Sequence, residues 1–286
     1  MKSFALAALV AAVSAKRLPT AVFHGMGDQC INPGMHDFTR ELGKQTGAYA
    51  RCVEVGAGAA TSLFKNFQRQ AEMDCEAVLA DENFQGEFNV LGLSQGALIA
   101  RYIAESCPVK GQVRNLSSIG GPNMGVADIP QCFEGQICSI VNYVARDLVY
   151  YELIQDIVGP AGYFRDPWHM DRYLSGSVFL PYLNNETGEA DAMASNKERF
   201  SALNGVQLIM FTEDSMVFPK ESEWFHQLDQ DNNVIPLEET DFYINDYIGL
   251  RALNEAGRVH FESIVGDHLQ FTDEDIAKTI VPFLLS

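Results

Sequence analysis

Apolar positions in this chain fall into short unbroken runs separated by segments with helical spacing. Residues 18–24, L-P-T-A-V-F-H, end in Gly25-Met26-Gly27 and read as a buried strand followed by a sharp loop. Residues 35–45 read as a helix and 50–55 as a second strand. Over residues 63–79 the apolar side chains Leu63, Phe64, Phe67, Ala71, Val78 and Leu79 recur at helical intervals. Residues 88–93 form a third strand, 95–105 a third helix, and 113–119 a fourth strand before Gly120-Gly121-Pro122. Strand and helix alternate, which predicts an α/β fold: a mostly parallel sheet with helices on both faces.

Between about residues 129 and 205 the alternation stops, and Pro, Tyr, Trp and Cys scatter among short helical stretches such as 137–149. This predicts a helical cap inserted into the sheet-forming chain. Strand patterning returns at 206–212 and 259–265, and a last helix over 273–285 opens with the capping-box pattern Thr272-Asp273-Glu274-Asp275. No repeat or low-complexity linker divides the chain. Its 286 residues, 47% hydrophobic, suffice for one large core, so residues 16–286 are read as one domain carrying the insertion.

The first fifteen residues stand apart. Lys2 precedes an apolar run from Phe4 to Val13, and Val13-Ser14-Ala15 suits cleavage after Ala15, before Lys16-Arg17. The run falls well short of the ~20 residues that span a bilayer, so a signal peptide is expected over 1–15 and no integral membrane segment elsewhere. Six cysteines then enter an oxidising compartment, which fits three disulfides, while the absence of any C-x-x-C pair argues against zinc. Cys132 and Cys138 are near enough to close a small loop, leaving Cys30, Cys52, Cys75 and Cys107 to pair in some order. Asn115 and Asn185 head N-x-S/T triplets and are candidate glycosylation sites. A net charge of −18 argues against binding a phosphate backbone and against unaided attraction to anionic membranes, so nucleic acid is not an expected partner.

The chemistry centres on Gly92-Leu93-Ser94-Gln95-Gly96, a G-x-S-x-G string placed between an apolar strand and a helix. That context exposes a serine hydroxyl on a sharp turn, with glycines leaving room for the backbone. A hydroxyl becomes nucleophilic only when a base takes its proton, so a histidine held by a carboxylate should follow in the order Ser, Asp, His. Of six histidines, His268 alone sits in a loop just after the last strand and before the last helix. Asp267 is too close in chain to orient it. The acid should end the preceding strand, where Glu213-Asp214-Ser215 follows residue 212; Asp214 is chosen over Glu213, and Asp229 and Asp231 lie too far on. Backbone N–H donors for the charge that builds on an attacked carbonyl are expected from Gln95 and Met26, the latter in His24-Gly25-Met26-Gly27-Asp28, which resembles the oxyanion loops of lipases and esterases. No metal or cofactor is called for.

With these residues in hand, the chain resembles the palmitoyl-protein thioesterases, lysosomal members of the α/β-hydrolase superfamily. The likeness spans nearly all of the mature chain. It rests on His24-Gly25-Met26-Gly27-Asp28-Gln29-Cys30, the serine string, Ile119-Gly120-Gly121 with Gly125-Val126, Asp214-Ser215 with Ser222-Glu223-Trp224-Phe225, residues 235–240 (I-P-L-E-E-T), and Gly266-Asp267-His268-Leu269-Gln270. The resemblance implies that Ser94, Asp214 and His268 form the triad, that Cys75 pairs with Cys107 and Cys132 with Cys138, and that Cys30 is left for Cys52. Ile31 stands where relatives carry a further cysteine, and Gly120-Gly121-Pro122-Asn123-Met124-Gly125 departs from their usual polar residues after the glycine pair.

The resemblance further implies hydrolysis of the thioester joining a long fatty acyl chain to cysteine, with S-acylated proteins or peptides, or acyl-CoA, as substrate and a lysosomal or secreted destination. Phe133, Ile137, Ile140, Val141, Val144, Leu148, Ile154, Val158, Phe164, Trp168, Phe179 and Leu180 could line an acyl groove, although docking on the sheet explains most of them equally. A lipid or carboxylic ester hydrolase using the same residues is the competing expectation, because the triad is indifferent to sulfur or oxygen leaving groups. A catalytically silent lipid-binding module is the third. The base must be neutral to act, so activity should rise from acid toward neutral pH.

Overall fold

The computed structural model describes residues 17–128 and 148–286. The expected signal peptide, the Cys132–Cys138 pair and the groove candidates Phe133, Ile137, Ile140, Val141 and Val144 lie outside the described residues. Strands β1 (Thr20–Phe23), β2 (Ala50–Val53), β3 (Glu87–Leu93), β4 (Gln112–Ile119) and β5 (Gly205–Phe211) follow in chain order. A short ribbon of β6 (Gln227–Leu228) and β7 (Val234–Ile235) precedes β8 (Val259–Ile264). The main sheet runs β2-β1-β3-β4-β5-β8, and every neighbouring pair is parallel. This is an α/β-hydrolase arrangement. Strands β3 and β5 are mostly apolar and buried almost end to end because helices cover the sheet on both sides, so alternate residues have no wet face to meet.

On one face Phe67, Leu98, Phe179 and Phe200 pack together, bringing helices Phe67–Ala80, Gln95–Glu105 and Ala190–Ser201 onto the sheet. On the other, Phe38 and Leu42 of helix Pro33–Thr46 meet Ile280 and Phe283 near the C-terminus. Strand β1 lies between β2 and β3, so the chain leaves it toward one side and returns on the other. Loops at the carboxyl ends of β1 and β3 therefore diverge and open a crevice there.

The structure departs from expectation in three places. The helix expected over 63–79 is two helices, Ala59–Phe64 and Phe67–Ala80, because the Asn66 side chain accepts the N–H of Arg69 and starts a new helix. The last helix carries its capping box but widens to a π turn over Ile276–Ile280, just before Pro282, whose missing N–H cannot continue the α ladder. The two sequons are the third. Asn115 is wholly buried in β4, with its amide nitrogen on Phe283 O and its oxygen accepting from Asn204. Asn185 is 2% exposed and donates to the carbonyls of Met193 and Tyr247. Neither amide is open to a glycan in the folded chain. Among the described residues no helix is long and apolar enough to cross a membrane.

Of the groove candidates described, Phe164, Phe179 and Leu180 are at most 3% exposed and serve the core. Ile154 and Val158 pack on a small cluster around Val149, Ala161 and Phe164, and Trp168 donates its indole N–H to Gln230 O. Leu148 is the one among these that stands 36% exposed.

Candidate active site

Ser94 follows β3 directly with φ 54° and ψ −126°, a conformation a side chain adopts only under constraint. The constraint is visible on both sides. A Cβ on Gly92 would fall 2.2 Å from Gly96 O, and one on Gly96 would fall 2.3 Å from Phe23 O, so only glycine lets the elbow fold against β1. The Ser94 N–H is tied to Ile119 O at the end of β4. Its side chain thus stands at the crevice.

His268 and Asp214 arrive from neighbouring strand ends. The ring Nε2 of His268 lies 2.8 Å from Ser94 Oγ, and Nδ1 lies 2.5 Å from Asp214 Oδ2. The other oxygen of Asp214 accepts the N–H groups of Met216 and Val217 at 2.7 and 2.8 Å. Its side chain is fully enclosed while His268 keeps 12% exposure. Burial pushes the Asp214 carboxyl upward, but the hydrogen bond and charge of His268 and the Val217 N–H outweigh it, and the net pKa is lowered. Glu213, the competing acid, is exposed.

Asp267 does not orient the ring. Its carboxylate takes the N–H of His268, and both the N–H and the hydroxyl of Ser215, clamping the histidine loop to the aspartate loop. These bonds lower its pKa. Gly120, at φ 61°, makes room for the imidazole, since a Cβ there would sit 3.2 Å from His268 Cε1.

The loop after β1 abuts the serine, and a Cβ on Gly25 would meet Ser94 Cβ at 3.2 Å. Met26 follows, 38% exposed, and its N–H has no partner among the described residues. Gln95 opens its helix, where the first N–H groups lack partners within the helix. The Gln95 side chain is buried and does something the sequence did not announce. Its amide donates to Ser62 O and accepts the Tyr163 hydroxyl at 2.9 Å, while Ser62 Oγ accepts the N–H of Gly27. One side chain therefore joins the serine turn, the β1 loop and the segment between β4 and β5. The Cys30–Cys52 disulfide and the Cys30 N–H to Glu54 bond anchor the far end of that loop to β2. Cys75–Cys107 ties helix Phe67–Ala80 to the end of helix Gln95–Glu105.

The string Ser222-Glu223-Trp224-Phe225 buttresses this edge from behind. Ser222 accepts Met124 N–H and donates to Gly125 O; Trp224 Nε1 reaches both Leu208 O of β5 and Glu262 O of β8. Glu223 Oε2 accepts the N–H of Phe211. Asp214, Glu223 and His268 are the cluster among the described residues with the donor types of a metal site. Both ring nitrogens are already engaged by Ser94 and Asp214, so a cation would have to break that chain of bonds.

Residues 19–268 match the sequence family described as palmitoyl protein thioesterase. Palmitoyl-protein thioesterase 1 of Caenorhabditis elegans is 32% identical over 93% of this chain and 91% of its own length. Palmitoyl-protein thioesterase 3 of Dictyostelium discoideum is 33% identical over 96% and 92%. A protein named lysosomal thioesterase PPT2 homolog, from Drosophila melanogaster, is 30% identical over 59% of this chain and 58% of its own.

Proposed function

The chain belongs to the palmitoyl protein thioesterase family and is a thioester or ester hydrolase, and from that premise we propose that it releases long fatty acyl chains from cysteine thioesters through an acyl-enzyme on Ser94. The observation that carries the reading is the continuous hydrogen-bonded chain Ser94–His268–Asp214 at the carboxyl edge of a parallel sheet. His268 Nε2 takes the hydroxyl proton as Ser94 Oγ attacks the thioester carbonyl, and the Gln95 and Met26 N–H groups receive the charge on its oxygen. The C–S bond then breaks and the thiol leaves with the proton held by His268. Water, activated by the same imidazole, attacks the acyl-enzyme and frees the fatty acid. Asp214 holds Nδ1–H throughout and offsets the imidazolium charge.

The segment between β4 and β5 acts in this reading as the cap that receives the acyl chain, with Tyr163 as its link to the serine turn. S-acylated proteins or peptides are the proposed substrates, and the secretory route to a lysosome the proposed destination. Two disulfides among the described residues and the names of relatives called lysosomal thioesterases support that route.

Turnover of an S-palmitoyl peptide beside its matched oxygen ester, with wild type and Ser94→Ala, tests the reading. Preference for the thioester, and fluorophosphonate labelling of wild type but not of Ser94→Ala, is the expected result. Equal labelling of both would contradict it, and preference for the oxygen ester would move the chain to the ester hydrolases.

A further inference from the structure

Glu223 is an acid placed where a second negative charge is least welcome. It is 1% exposed and makes no ion pair among the described residues. Oε2 accepts the Phe211 N–H at 3.1 Å. Oε1 is also buried and finds no donor among the described residues. The Asp214 carboxyl lies close to Glu223: one oxygen of each acid and a ring nitrogen of His268 lie within 4.8 Å of one another. If both acids were ionised, two like charges would share a dry site and Oε1 would be orphaned, each a substantial cost. One proton removes both difficulties. A protonated carboxyl is a donor, and Asp214, which accepts from Met216, Val217 and His268, has lone pairs to spare.

Resting on the reading of Ser94, His268 and Asp214 as the reacting relay, we infer that Glu223 is a neutral carboxylic acid whose O–H is donated to the Asp214 carboxylate, making it a positioning residue for that relay. Phe211 N–H fixes one oxygen and Asp214 receives the proton of the other, so Asp214 gains a donor besides His268, Met216 and Val217. Its carboxylate stays ionised and aimed at Nδ1. The charges facing the pair are those of Asp214 and Glu221 around Glu223, and of His268 and Asp267 around Asp214. Burial, with the Asp214 hydrogen bond and charge behind it, pushes the Glu223 pKa up to about 11. The acid therefore keeps its proton from acid to neutral pH.

The test uses the full chain and Glu223→Gln, whose amide keeps a donor toward Asp214 and an acceptor for Phe211 without any charge. The expected result is a kcat within about fivefold of wild type and an acid limb of the pH–rate profile that does not move. Glu223→Ala should lose about 100-fold in kcat with KM little changed, through a loosened Asp214. Were Glu223 ionised, Glu223→Gln would remove a negative charge beside the relay and lower the imidazole pKa. An acid limb displaced to lower pH by about a unit overturns the inference. If Glu223→Ala does not fold, the glutamine variant still decides. Infrared difference spectra of wild type minus Glu223→Gln at neutral pH need no turnover. A protonated-carboxyl carbonyl band in wild type supports the inference, and a carboxylate band in its place overturns it. An inactive wild type would defeat the functional reading instead, and the spectra would still report on Glu223.

Discussion

The two ends of helix Gln95–Glu105 use burial for opposite purposes. At its first turn Ser94 and Gln95 stand at the crevice, part of a chain of polar groups that must exchange a proton. Toward its other end Arg101 and Glu105, neither exposed at all, form a knot that stands apart from the serine. Arg101 binds Glu105 at 2.9 Å, Asn123 O at 2.8 Å and Asn184 Oδ1 at 2.9 Å, and its guanidinium lies 4.7 Å over the Phe225 ring. Those partners come from the turn after β4, the segment between β4 and β5 and the string behind Asp214. In the proposed relay one end of the helix carries the chemistry, and the other holds the elements that shape it. A charge is tolerated in the interior when its partner is fixed, as Arg101 is, while at the serine end the charge must come and go on His268.

This contrast can be broken from either side. Asp214→Asn should reduce kcat/KM by about 10⁴-fold, since the imidazole loses the acceptor that sets its tautomer, and the melting temperature should barely change. Steady-state kinetics beside calorimetry check this, and a large fall in stability would erase the distinction between the two ends. Arg101→Ala should do the reverse, costing roughly 3–5 kcal/mol by stranding Glu105 and the Asn123 and Asn184 acceptors, or roughly 10 °C in Tm. Activity per site titrated with fluorophosphonate should survive, with KM moving before kcat.

A smaller effect concerns pH. Burial, opposed by the Arg101 charge and hydrogen bond, raises Glu105 to about 7. A carboxyl raised on folding binds its proton more tightly in the folded state, so its contribution to stability is full below the unfolded pKa and is lost as pH rises through about 7. Denaturant unfolding of wild type and Glu105→Gln should diverge by roughly 1–3 kcal/mol between mildly acid and neutral pH, the variant being the flatter. Parallel curves would mean that Glu105 is ionised throughout. Tyr163→Phe is the mildest change. It removes one hydrogen bond to Gln95 and should lower kcat/KM by about fivefold without altering fold or tautomer.

The serine end was far more legible in the sequence than the knot. Ser94, His268 and Asp214 each follow a strand that the pattern of apolar residues marks, and glycines at fixed offsets declare the turn around Ser94. Six strands and the helix beginning at Gln95 could be read because the inner strands β1, β3, β4 and β5 are buried almost throughout and select apolar residues, while the partly exposed edge strands β2 and β8 still carry apolar residues between polar ones. Between Ser215 and Arg258 the elements are one-turn helices and two-residue strands, too short for any period to register. Glu223 stood out only as part of a string, because its partner is fixed by the packing of β5 and not by neighbours in sequence. The break at Lys65-Asn66 was hidden by apolar residues on both sides of it, and the sequon at Asn185 carried no sign of burial, unlike Asn115 inside its expected strand. Local chemistry leaves a local signature, whereas contacts made across the fold leave almost none.

The relay itself is tested most directly by trapping the reaction midway. Rapid acid quench of the enzyme with an S-palmitoyl substrate, followed by mass spectrometry, should find one palmitoyl group esterified to the peptide containing Ser94, and none in Ser94→Ala. Turnover that proceeds with no acyl group on that peptide, or with the acyl group on another residue, would contradict the account.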